Sequence, residues 1–121
     1  MLKLSHKDLD VWKTSIELVK EIYSITSLYP KEELFGITNQ LRKASVSIPS
    51  NISEGLYRKS KIEKSRFLEI TRSSLVEIDT QIEISIDIKI CKSENIKKLK
   101  ELSSRVFAVL SKMISNFKKE I

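Results

Sequence analysis

Glycine and proline are scarce: the 121 residues hold two of each. An all-β sandwich or barrel needs a turn about every 8–12 residues, so this little turn material argues against one. A single cysteine, Cys91, permits no internal disulfide and no cysteine-rich metal site. A single histidine, His6, leaves nothing from which to build a histidine metal cluster or a nucleophile–histidine triad. No apolar run reaches the roughly 18 residues of a membrane span. The segment Met1–Asp8 lacks the apolar stretch of a secretory leader, so a cytoplasmic protein is expected. No glycine-rich phosphate loop, metal-ligand spacing or nucleophile motif occurs. The expectation is therefore no catalytic residue, no metal, no cofactor and no small-molecule substrate.

What is present is charge and helical periodicity. The chain is 40% hydrophobic and 31% charged, the balance of a folded domain, and one domain over residues 1–121 is expected. Net charge is +6, unevenly spread. Residues 8–33 carry −3, residues 42–72 carry +5, residues 77–87 carry −4 and residues 89–119 carry +7. The two basic blocks suit a phosphate backbone, or they pair with the acidic blocks between subunits.

Apolar residues recur at three-four spacing in separate segments. Leu9, Trp12, Ile16, Val19, Tyr23 and Thr26 make one helix face between Asp8 and Leu28. Tyr29-Pro30 ends that helix, and Pro30 is placed to open the next, with Leu34, Ile37, Leu41, Ala44 and Ile48 as its stripe. Pro49 falls inside this second pattern and predicts a kink. Ser60 and Glu63 form a capping-box pair ahead of a third helix with Phe67, Thr71, Ser74, Ile78, Gln81 and Ser85 on one stripe. Isoleucines 82, 84, 86, 88 and 90 alternate like a strand. No other segment offers such a strand a partner, so helix is the expectation here too. A last helix follows Ser93, with Ile96, Leu99, Leu102, Val106, Val109, Met113 and Phe117. The expected fold is all-α, an antiparallel up-down-up-down four-helix bundle with a kinked second helix. The wide apolar arc of the third helix points to a homo-oligomer.

Two polar constellations stand out. Arg42 and Lys43 interrupt an apolar helix, and Asn51, Glu54 and Gly55 flank Pro49. Arg42 and Lys43 suit phosphate binding. The structural alternative, which is preferred, has Asn51 and Glu54 satisfying backbone groups freed by Pro49 or accepting from Arg42. Arg58, Lys59, Lys61 and Lys64 crowd an interhelical connection, which reads equally as a solvated loop or as a backbone-binding patch, and they are the leading nucleic-acid candidates. Lys97, Lys98 and Lys100 form a second. His6 is expected to be frayed and solvent-facing, and Cys91 to be a buried inert thiol.

Asp8-Leu-x-Val-Trp-Lys13, Tyr29-Pro-x-x-Glu33-x-x-Gly36-Ile-x-x-Gln40-Leu-Arg-Lys-Ala44 and Ser47-Ile-Pro-Ser-Asn-Ile-Ser-Glu-Gly55 resemble the bacterial four-helix bundle proteins of the 23S rRNA intervening-sequence family. Phe67-Leu-x-Ile70 and Ser74-Leu-x-Glu77-Ile-x-Thr-Gln81 extend the resemblance to about residue 90. Ser53 stands where alanine is usual and Ser73 where glycine is usual. The resemblance implies symmetric homo-oligomers, with pentameric rings the expected form, and a family for which no enzymatic activity is established. It also implies similarity to the accessory proteins of diversity-generating retroelements, which are thought to bind nucleic acid and a reverse transcriptase. The expected partners are a second copy of the chain and RNA or DNA. The competing expectation is a scaffold that engages an acidic protein.

Overall fold

The helix signals act where the breakers allow. The computed structural model describes residues 1–121 and contains four α-helices and no strand. They are α1 (Asp10–Thr26), α2 (Ile37–Leu56), α3 (Lys61–Asp87) and α4 (Lys97–Lys119). Short 3₁₀ turns, Ser5–Asp8, Lys31–Glu33 and Ser93–Ile96, precede α1, α2 and α4. Ser60 caps α3 as expected, its hydroxyl accepting from the Glu63 amide at 3.0 Å. No helix is long and apolar enough to cross a membrane.

The order of the helices is read from pairs across each seam. Between α1 and α2, Trp12 meets Ser53 while Thr26 meets Arg42. Between α2 and α3, Gln40 meets Gln81, Ser47 meets Ser74 and Gly55 meets Phe67. Between α3 and α4, Lys61 meets Glu120 and Arg72 meets Ser111. In every seam one set of numbers rises as the other falls, so successive helices are antiparallel, as short connections require. α1 also packs on α4, which closes a ring of four. All four helices contribute to one buried apolar cluster, with Leu18, Ile22, Leu41, Ile48, Leu68 and Leu110 at its centre.

Four details differ from expectation. The inward face of α1 is Val11, Ser15, Leu18, Ile22 and Ile25. On the anticipated stripe only Thr26 is buried, while Trp12, Ile16 and Val19 are half-buried and Leu9 and Tyr23 are exposed. Both stripes have helical period and differ by one residue, a rotation of about 100°. Periodicity alone does not choose between them. Second, α2 begins at Ile37, not at Pro30, because the backbone at Gly36 leaves helical geometry and caps the helix from outside. Leu34 and Phe35 are left exposed. Third, the α4 stripe holds to Val106 and then drifts to Leu110 and Ile114, leaving Val109 exposed and Met113 half-buried. Fourth, His6 is buried rather than frayed, as described below.

Two segments that could have interrupted a helix do not. α2 runs through Pro49 as one helix, with the proline ring buried. The isoleucine run is helical to Asp87 and then turns through Ile88–Cys91, and the Cys91 thiol is buried.

Candidate nucleic-acid interface

Antiparallel packing carries three remote segments to one end of the bundle: the N-terminal strap, the α2–α3 connection and the end of α4. The strap is fastened there by aromatic and hydroxyl contacts. His6 is 6% exposed and meets Trp12 and Tyr57 edge-on at 5.2 and 5.5 Å. Such T-shaped pairs place a positive ring edge on a negative face. The Ser5 hydroxyl lies 3.3 Å from the Tyr57 hydroxyl, and this hydrogen bond pulls the Tyr57 pKa below its ordinary value. The burial of His6 follows from packing that joins residues 6, 12 and 57, which local sequence does not announce.

Basic side chains crowd this end. Residues 1–8, 54–69 and 117–121 together hold nine lysines and arginines against five acids. Arg58 pairs with Glu54 at 2.7 Å and stacks over Phe67 at 4.7 Å. Lys61 pairs with Glu120 at 3.1 Å, and its ammonium stands 5.3 Å from the Phe117 ring. Lys64 stands 6.0 Å from the same ring. Lys118 pairs with Glu69 and, chiefly through that hydrogen bond, holds the carboxyl below its usual range. Lys59, Lys64, Arg66 and Lys119 make no ion pair. The pairs that do form are solvent-exposed, a class that contributes about 0–1 kcal/mol and yields readily to a stronger anion. The sequence patch thus gains Lys118 and Lys119, detectable only once α4 is known to end beside the start of α3.

The second patch lies elsewhere. Lys97, Lys98 and Lys100 open α4, and α4 spans about 30 Å between them and Lys118. They too are exposed and unpaired. The two patches therefore occupy opposite ends and do not form one surface.

The proline-flanking constellation is assigned differently from expectation. Arg42 does not reach Asn51 or Glu54. Its Nε donates to the Thr26 hydroxyl at 2.9 Å, and its guanidinium covers the Tyr23 ring at 4.6 Å. That contact ties α2 to the end of α1 and makes Arg42 structural. Asn51 makes no side-chain hydrogen bond within the protein, and Glu54 holds Arg58. Ser53, rather than Asn51 or Glu54, bonds beside the proline: its hydroxyl donates to the Pro49 carbonyl and accepts from Trp12 Nε1, each at 2.9 Å. Gly55 is required by close approach, since a Cβ there would stand 2.6 Å from the Phe67 Cβ.

No cluster of histidine, cysteine or carboxylate side chains is arranged to hold a metal ion. The sequence model of the 23S rRNA-intervening sequence proteins matches residues 7–112. The chain belongs to that family. The intervening-sequence fold is also seen in a crystal structure described as a protein of unknown function from the S23 ribosomal protein family of Bacteroides thetaiotaomicron VPI-5482. It is 21% identical, covers 86% of this chain and 97% of its own, and superposes with a TM-score of 0.78. At that identity the likeness shows the shared bundle alone. No curated protein matches significantly.

Proposed function

We propose that this intervening-sequence protein is a non-enzymatic, homo-oligomeric nucleic-acid-binding bundle that engages structured RNA through its basic end. The observation that carries the reading is the convergence of Lys59, Lys64, Arg66 and Lys119, all without ion-pair partners, around Arg58, Lys61 and Lys118. Clustered cations on one end release counterions when they meet a phosphate backbone, which is a sequence-independent source of affinity. Repetition of that end in an oligomer adds avidity to modest contacts. The family description, which names an rRNA insertion, is in keeping with such a partner.

Two charge-reversal variants test it. Lys59→Glu/Lys61→Glu/Lys64→Glu and Lys97→Glu/Lys98→Glu/Lys100→Glu change net charge equally, at opposite ends. Each phosphate contact contributes a slope of about −0.9 in log K against log salt on duplex and about −0.7 on single strands. Anisotropy titrations of a structured RNA across salt are expected to lose about two to three contacts of slope in the first variant and under about one in the second. Equal losses place the binding elsewhere. If the wild-type protein has no RNA or DNA affinity even at low salt, the reading fails and an acidic protein becomes the partner to seek.

A further inference from the structure

The last two turns of α2 and its capping residue Tyr57 present Ser50, Ser53, Glu54 and Tyr57 at i, i+3, i+4 and i+7 spacing along one side. The N-terminal strap lies across from them and brings His6. Together with Arg58 they line a cleft of about 520 Å³ at the basic end. Packing accounts for Pro49, Ser53 and Gly55 of this segment and an exposed i, i+4 ion pair engages one oxygen of Glu54, but neither accounts for Ser50. The Ser50 side chain is exposed, and its hydroxyl makes no hydrogen bond within the protein. Glu54 commits only Oε1, to Arg58 Nη2.

We propose that this cleft receives a single unpaired guanine base of an RNA strand whose phosphates lie on the neighbouring lysines. The inference rests on the nucleic-acid reading above. Tyr57 offers a stacking face: half its surface is exposed, while its hydroxyl is tied to Ser5 and its ring is braced by His6. The His6 ring is itself buried, with Nδ1 lacking a partner. The Glu54 carboxylate lines the cleft with the Arg58 guanidinium paired to it. The same carboxylate is an acceptor-only group that Arg58 holds in place. Guanine alone among the four bases presents two adjacent donors, N1–H and the 2-amino group, on its Watson–Crick edge. Adenine and cytosine pair an amino group with a ring acceptor there, and uracil sets one N–H between two carbonyls, so each turns an acceptor toward the carboxylate. Arg58 therefore acts as a positioning residue, and Glu54 reads the base.

The test uses the full chain and a labelled uridine-rich RNA carrying one central guanosine, inosine, adenosine or abasic site. The guanosine strand is expected to bind about tenfold tighter than the adenosine or abasic strand. Inosine, which lacks the 2-amino group, is expected to fall between. Glu54→Gln should bring guanosine down to the adenosine level without flattening the salt slope, since it frees Arg58 from its ion pair. Tyr57→Leu should move every base toward the abasic value. Lys59→Glu/Lys64→Glu should flatten the salt slope while the guanosine preference persists. RNA binding with no base preference, or a preference that survives Glu54→Gln, overturns this inference and leaves the nucleic-acid reading intact. Absence of binding to every strand at low salt overturns both.

Discussion

At the scale of single residues, the segment from Ser47 to Gly55 shows how one run of sequence serves several contacts. The Ser53 hydroxyl links the Trp12 indole on α1 to the Pro49 carbonyl on α2, so two helices are joined where the proline leaves the helix one amide short. Gly55 lets α2 and α3 approach until backbone meets side chain at Phe67. A Cβ is fixed to the backbone and cannot swing away, so Gly55→Ala must push the two helices apart. The expected loss is about 1–3 kcal/mol, read as a lower urea midpoint at constant slope. Phe67→Ala keeps the clashing Cβ and is expected not to rescue it, which separates this contact from ordinary overpacking by the ring. The identities of Pro49 and Gly55 were legible as special. The bond of Ser53 with Trp12 and the contact of Gly55 with Phe67 were not, because they reach other helices.

At the scale of elements, the end of α3 is set by hydrogen-bond geometry that uses an unfavourable residue. The Ile90 amide donates to the Ser85 carbonyl and the Lys89 amide to the Ile86 carbonyl, each at 3.0 Å, with Lys89 at φ 64°. This is a Schellman ending, in which the left-handed position favours glycine. A lysine there carries a steric cost of about 1 kcal/mol. Lys89→Gly is therefore expected to stabilise the bundle by about that amount in urea unfolding, with helicity unchanged by circular dichroism. Failure to stabilise would mean that the lysine side chain compensates through contacts of its own. The isoleucine alternation just before this ending does not make a strand. A period of two in the sequence coincides here with a helix whose isoleucines point to several sides: Ile82 is buried, Ile86 half-buried, and Ile84 and Ile88 exposed. Helix existence and number followed from the breakers and caps. The start of α2 and the inward face of α1 did not, since neighbouring stripes of equal period differ only in what other helices cover.

At the scale of the whole molecule, surface area carries the argument. A folded monomer of 14.0 kDa is expected to expose about 6,700 Å². This chain exposes 7744 Å². The exposed side chains include large apolar ones: Phe35 is 92% exposed, Leu28 75%, and Ile62 and Val76 54% each. On the homo-oligomer proposal, these are the side chains an interface between copies would cover. Sedimentation equilibrium at micromolar concentration is expected to give a multiple of 14.0 kDa, and a mass of one chain would end the homo-oligomer reading. An oligomer also repeats the basic end, so the salt slope measured per assembly should exceed that of one chain.

Local sequence by itself determined the class of this protein. Scarce glycine and proline, three-four apolar spacing, the Ser60 cap and the Pro30 stop all act within a few residues, and helices are made of contacts between i and i+4. The basic blocks were equally plain, because charge is counted without coordinates. Tertiary structure alone decided which stripe of α1 faces inward, that Arg42 belongs to Thr26 and Tyr23, and that His6 is buried against Trp12 and Tyr57. It also decided that Lys118 and Lys119 join Arg58 to Lys64 while Lys97 to Lys100 stand at the far end. These outcomes depend on side chains from remote segments competing for the same space. Periodicity records the shape of each helix, but only packing among four of them sets their rotations and brings their ends together.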